Sequence, residues 1–367
     1  MKTNLINDSH THISMDYSLR EDVKSFRWIM EETGTERIQF LALNAHPFFA
    51  ETQLDNSKCL YLKSAFAPYG YAGYCLDYTR ERTPEGFEKQ ISDAIKAGFD
   101  CWKIIEAKPN SQKVWGYPMD SDIYERAFAL AEKEKFPIIL HTGDPEVMWR
   151  DEYVEGYLTK AEYREQVERV LKRHPHLIMT IAHFGFLGTE PERVKNLLDT
   201  YETLYFDLVP APEEYFAISR QHEEWKFLFE YYSDRFVFGT DRGNHGTDGF
   251  TREEWFKNFP ETASYQKRLF LQDGKCDGRH PFPGIEERWG TEWYGLNISD
   301  KAFNDIFYNN FLTIYGEPKP VDYNMLYDYA RYEFALPSKS KTLKEDFEEI
   351  ERECAKHGVT INKKGVA

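Results

Sequence analysis

At 367 residues, 41% of them hydrophobic, the chain is long enough for one large barrel or two domains. Its formal charge of −16 speaks against nucleic acid as a partner, because phosphate recognition concentrates Lys and Arg. No apolar stretch approaches the roughly 18 residues of a membrane span, the polar start argues against a cleavable signal peptide, and five scattered cysteines suit free thiols in a reducing cytoplasm.

The first predicted strand follows Leu5-Ile6 and ends in His10-Thr11-His12. A two-residue step along a strand returns a side chain to the same face, so both imidazoles can grip one metal ion. A helix is predicted over 21–33 and a second strand over 36–43, leading to Asn44 and His46. The third strand is expected at 58–66. Thr83 caps the next helix with Pro84 in its first turn, and Gly98 ends it. Strand four runs from Phe99 through Lys103 to Ile105. A helix over 122–134 precedes strand five, Pro137–Leu140, which leads into His141, Thr142, Gly143 and Asp144. The capping box Thr159–Glu162 opens another helix. Strand six, Leu177–Ala182, leads into His183, and Thr189–Glu192 repeats the capping arrangement. Strand seven spans Thr203–Leu208 and contains Asp207. A helix near 221–233 and strand eight, Phe236–Thr240, follow, leading into Asp241 and Arg242.

Several of these runs are continuous rather than alternating, as expected of parallel strands buried on both faces. Eight strands alternating with helices give an α/β chain, read as a (β/α)8 TIM barrel whose active site lies at the carboxyl ends of the strands. Closure is inferred from the chemistry, since polar groups from strands one, five, six and eight converge only in a closed ring. The barrel is assigned to residues 1–316, with an insertion at 242–298 after strand eight. That insertion carries Trp255, Trp289, Trp293, Phe250, Phe256, Phe259 and Phe282, and reads as a lid or pocket wall, or else as a self-packed ornament or subunit contact. Residues 317–367 read as a helical extension packed on the barrel through Leu343, Phe347, Ile350 and Cys354.

From the residues alone, His10, His12, His141, His183 and Asp241 are all candidate metal ligands. Asp8-Ser9-His10-Thr11-His12, Leu140-His141-Thr142-Gly143, Ala182-His183-Phe184-Gly185 and Phe238-Gly239-Thr240-Asp241 resemble the metal-site signatures of the amidohydrolase superfamily. The branch most resembled is that of TIM-barrel metal-dependent hydrolases which includes aminocarboxymuconate-semialdehyde decarboxylase. The resemblance runs over about 4–243 and resumes at Ile306–Asn310; it is specific for the superfamily, not for a substrate.

This resemblance implies that His10, His12, His141 and Asp241 bind one divalent ion, with zinc favoured by the donor set. The ion would lower the pKa of a bound water from ~15.7 towards ~7. Asp241 would take and return the water's proton, and His183 would polarise the substrate carbonyl, with a ligand role as its alternative. Lys103 reads as an ammonium contacting an anionic substrate, as part of a buried ion pair, or as a carbamylated bridge to a second ion, with one ion preferred. Asp8 reads as orienting a histidine. Asn44, His46, Asp144, Arg150, Asp207 and Arg242 are candidate substrate contacts, each with a structural or solvent-facing alternative.

The expected function is a metal-dependent hydrolase attacking an amide, ester or lactone carbonyl of a small polar substrate. The alternative is a non-oxidative decarboxylase of an aromatic or unsaturated carboxylic acid, and a third reading keeps the metal only structurally. A small-molecule substrate, no nucleic acid, no membrane and a homodimer complete the expectations.

Overall fold

The computed structural model describes residues 5–13, 17–44, 55–149, 156–209, 211–243, 252–277, 287, 290–338 and 340–361. In chain order, β1 (Ile6–His12) is followed by α1 (Leu19–Thr33), β2 (Thr35–Leu41) by α2 (Asp55–Ala65), and β3 (Gly70–Cys75) by α3 (Pro84–Ala97). Next come β4 (Cys101–Ile104), α4 (Pro109–Trp115), α5 (Asp122–Lys133), β5 (Ile138–Leu140) and α6 (Lys160–Arg173). The series continues with β6 (Met179–Ile181), α7 (Pro191–Thr200), β7 (Leu204–Asp207), α8 (Pro212–Arg220) and α9 (His222–Tyr231). The eighth barrel strand is split into β8 (Phe236–Val237) and β9 (Arg242–Gly243).

Successive strands pair in parallel from β1 to β8, and β9 returns to pair with β1. Between the two halves of the split strand, Phe238 O accepts from both Ser9 N (3.1 Å) and Ser9 Oγ (2.8 Å). Asp241 N donates to His10 O at 2.8 Å. These bonds close the seam of a (β/α)8 barrel, as the sequence pattern predicts.

Alternate residues separate two cores. Ile38, Phe40, Tyr74, Trp102, Ile138 and Phe206 pack outward in the main cluster, which the helices share. Leu41, Tyr71, Cys101, Ile139 and Val237 belong to a second cluster inside the ring. After the insertion, α11 (Asp300–Asn304), a π-helical turn (Asp305–Asn309) and α12 (Asn310–Tyr315) form one helical run. Phe311, Ile314 and Tyr315 join the inner cluster. Asn310 Nδ2 holds Ser233 O and Phe236 O, both at 2.7 Å, at the start of β8. The amino-terminal end of the barrel interior is thus stoppered by Phe311, Ile314 and Tyr315.

Residues 58–66 do not form a strand: most of them belong to α2, and the third strand is β3. Residues 56–63 are all buried, polar Asn56, Ser57, Lys58 and Lys63 included, so no division between a solvent face and a core face discloses a helical period. Gly70 and Gly73, meanwhile, make β3 resemble a loop. The second glycine is a packing requirement, since a Cβ there would sit 2.5 Å from Leu41 Cδ2 and 2.9 Å from Cys101 Sγ. A second correction concerns α7, which opens at Pro191 with Glu190 at the cap position and no side-chain cap bond, so Thr189–Glu192 is not a capping box. Thr159–Glu162 does form one, and Thr83 Oγ1 accepts from Gly86 N at 3.0 Å.

The insertion contributes α10 (Arg252–Leu271) and an antiparallel hairpin of β10 (Asp273–Asp277) and β11 (Glu292–Leu296). Trp293 is buried against Tyr265 and Phe216, the latter on α8. The side chains of Trp255, Phe256 and Phe259, with Phe250, Phe282 and Trp289, lie outside the described residues. The tail forms α13 (Tyr323–Phe334) and α14 (Leu343–Lys356), which pack on each other and on α2, burying Phe347, Ile350 and Cys354. Among the described residues no helix is long and apolar enough to cross a membrane.

Candidate metal centre at the carboxyl ends of the strands

The pairing of β1 with β2 is irregular between Asp8 and Thr11, where the strand turns two imidazoles towards one point. His10 Nε2 and His12 Nε2 lie 3.2 Å apart. Asp241 Oδ1 is 3.1 Å from His12 Nε2 and 3.5 Å from His10 Nε2. One donor atom from each of these three residues falls within 4.8 Å of the others. Asp241 has a positive φ of 53°. Close approach explains Gly239, where a Cβ would lie 2.9 Å from His10 Cβ.

The tautomers follow from the partners. His12 Nδ1 lies 2.8 Å from Leu41 O, and His10 Nδ1 lies 2.7 Å from Asp207 Oδ2. A carbonyl and a carboxylate can only accept, so both Nδ1 atoms carry the protons. Two Nε2 atoms and a carboxylate then converge around the place of a single cation, a proton or a metal ion. This donor set fits a divalent ion.

Electrostatics agree with that arrangement. Burial, with Lys103 alongside, holds His10 well below its ordinary imidazole value. Burial works against the charge on Asp241, but the contact with His12 and the neighbouring His183 and His10 rings outweigh it and hold the carboxyl well below the usual range. Lys103 is fully buried with Nζ 3.0 Å from His10 Nε2, and burial lowers its basicity. Lys103 thus faces a histidine at the floor of the group.

Asp8 does not reach a ring. Its Oδ1 accepts from His10 N and Thr240 N, both at 3.1 Å, and its Oδ2 accepts from Thr240 Oγ1 at 2.6 Å. It therefore knits β1 to strand eight, and burial pushes its carboxyl up to about 7. The ring-orienting carboxylate is Asp207. Its other oxygen, Oδ1, accepts from His183 N at 2.8 Å and Val209 N at 3.1 Å. Asp207 is fully buried and engaged on both oxygens by protein groups. From sequence alone, a strand-end carboxylate facing the mouth is indistinguishable from one facing a neighbouring strand's histidine.

His183 follows β6 in a turn where His183, Phe184, Gly185 and Phe186 all have positive φ, between 52° and 62°. Its ring stacks on Phe186, and its Nε2 is 3.8 Å from Asp241 Oδ2. Burial lowers its pKa to about 4, so the imidazole is neutral at pH 7. His141 stands beside it, with ring centroids 4.8 Å apart. It is not in the three-residue donor group; its Nε2 lies 3.5 Å from Lys108 Nζ and 3.6 Å from Asp144 Oδ1. Lys108 and Asp144 form an ion pair. Lys108 was missed by sequence reasoning because no apolar run leads directly into it.

Five buried polar atoms near these strand ends have no partner among the described residues: Asn44 Oδ1, Glu106 Oε1, Thr142 Oγ1, Asp144 Oδ2 and His183 Nδ1. Unsatisfied groups gathered at one end of a barrel are what a polar ligand or ordered water would complete. His46 and Arg150 lie outside the described residues. Arg242 is described in its backbone only, paired with Thr11.

A family model described as Amidohydrolase matches residues 39–316, a segment that begins after β1. No curated protein matches the chain. Among solved structures, an uncharacterized TIM-barrel protein from Bordetella bronchiseptica is similar at 14% identity, with 84% of this chain and 98% of that one covered and a TM-score of 0.53. The 4-oxalomesaconate hydratase of Rhodopseudomonas palustris is similar at 14% identity, with 84% and 95% covered and a TM-score of 0.50. At such identity the likeness is one of fold.

Proposed function

The chain belongs to the amidohydrolase family and is an enzyme of that superfamily; from this premise we propose that it activates water against an amide, ester or lactone carbonyl of a small polar substrate. The observation that carries the reading is the convergence of His10 Nε2, His12 Nε2 and Asp241 on one cation's place. A divalent ion there, zinc by the imidazole–carboxylate set, supplies Lewis acidity to water and carbonyl when bound. His141 is the proposed fourth donor, which requires its Nε2 to leave Lys108.

Asp241 turns Oδ1 to the two histidines of β1 and Oδ2 towards His183. Held ionised, it is equipped to take a proton from water and return it to the leaving group. His183, neutral and with Nδ1 unpartnered, is equipped to donate to the oxygen on which charge develops. The stoppered floor beneath keeps bulk water from entering from below.

The test combines metal analysis with turnover on a panel of amides, esters, lactones and unsaturated acids. One zinc per chain is expected, with Asp241→Asn losing both metal and activity. His183→Asn is expected to keep the metal and lose about 10²–10⁴-fold in kcat. Protein that takes up no stoichiometric metal sinks the reading. Carbon dioxide release without incorporation of water moves it to the decarboxylase alternative.

A further inference from the structure

Asp207, the last residue of β7, touches both halves of the site with one buried carboxylate. Oδ2 holds the ring of His10 from strand one, while Oδ1 holds the backbone of His183 after strand six and of Val209 after its own strand. We propose that Asp207 is a positioning residue that ties the metal-binding tautomer of His10 to the turn that presents His183, so that one carboxylate sets both. The inference rests on the metal reading above.

The argument runs through proton placement. His10 can offer Nε2 to an ion only while its proton stays on Nδ1, and Asp207 Oδ2 at 2.7 Å is the acceptor that keeps it there. The turn after β6 needs an anchor of its own. L-residues rarely adopt positive φ, yet His183, Phe184 and Phe186 all do so in sequence with Gly185. At its far end Leu187 N donates to Phe184 O at 3.2 Å, and at its near end the anchor is His183 N on Asp207 Oδ1. With Val209 N as well, the carboxylate receives three hydrogen bonds and no donor of its own is required.

An amide cannot do the same. Asparagine at 207 has one accepting oxygen and an NH2 group. If the oxygen faces His183 N and Val209 N, the NH2 meets His10 Nδ1 and shifts the ring proton to Nε2, into the ligand position. In the opposite orientation the NH2 opposes two backbone N–H groups, and the turn loses its anchor.

The experiment uses the full chain with 15N-labelled histidine at pH 8, read by imidazole nitrogen shifts, His183 amide exchange and zinc affinity against a chelator. Wild type is expected to show His10 as the Nδ1–H tautomer and a protected His183 amide. Asp207→Asn is expected to show a His10 population protonated at Nε2 or a fast-exchanging His183 amide, with zinc binding weakened about 10–100-fold. Asp100→Asn, which removes a remote buried carboxylate paired with Lys63, serves as the control for a general loss of packing and should leave the tautomer unchanged. An Asp207→Asn protein with wild-type tautomer, amide protection and zinc affinity overturns the proposal. If that variant does not fold, the wild-type spectrum decides, and a His10 protonated at Nε2 overturns it. Wild type that binds no zinc but shows the expected tautomer and protection rejects the metal reading while leaving this contact intact.

Discussion

Among single residues, Glu106 beyond β4 makes the clearest pH prediction. It is 1% exposed, its Oε2 accepts from Ile105 N at 2.7 Å, and its Oε1 has no partner among the described residues. Burial pushes its pKa from 4.5 up to about 7, against hydrogen bonds from the backbone and Tyr78. A carboxyl that keeps its proton longer in the fold stabilises it fully below about 4.5, and that contribution is lost as pH rises through about 7. Glu106→Gln is neutral throughout, so it should exceed wild type at pH 8 by up to about 3 kcal/mol and match it near pH 4. Urea midpoints at both pH values check this, and an advantage undiminished at pH 4 rejects it. The same scale shows what was legible in the chain. His10, His12 and Asp241 announce themselves as polar residues at the ends of apolar runs. Asp207 looks equally like a mouth residue until its neighbours are known, and Lys108 has no run to mark it.

At the scale of elements, the carboxyl-terminal helices brace the barrel at the carboxyl end of its strands. Asp346 of α14 accepts from Leu19 N, the first residue of α1, at 2.7 Å, and its Oδ2 meets buried Lys58 Nζ of α2 at 2.6 Å. Glu333 of α13 accepts from Ser57 N at 3.1 Å. Two acidic side chains from the tail therefore satisfy amide groups in the first turns of α1 and α2, the helices that follow β1 and β2. Asp346→Ala should cost about 1–3 kcal/mol, because it removes a buried acceptor from Leu19 N and a carboxylate from beside Lys58. Chemical denaturation measures the loss, and a variant as stable as wild type contradicts the account. Helix α2 also shows how an element escapes a sequence reading: periodicity identifies a helix by its solvent face, and a helix covered on one side by strands and on the other by the tail has none.

At the scale of the molecule, folding assembles the His10, His12 and Asp241 group, which the unfolded chain lacks, so the proposed metal and stability are linked. Zinc at 100 times its dissociation constant should raise the unfolding free energy by about 2.7 kcal/mol, and chelator should remove the gain. The gain should be absent in Asp241→Asn; a thermal shift of equal size in that variant would place the ion elsewhere. Alternation of apolar runs with helical stripes marks an α/β chain, because burial on both faces shows in each strand separately, while closure into a (β/α)8 barrel was read from the polar residues at the strand ends. The motifs at strand ends likewise point to imidazole and carboxylate as the residue types of the candidate site. Which of them meet was decided only by ring closure. It sets His10 and His12 beside Asp241, turns Asp207 inward onto His10, and leaves His141 against Lys108 and Asp144, because contacts between strands far apart in the chain depend on register and twist, which no local stretch of residues contains.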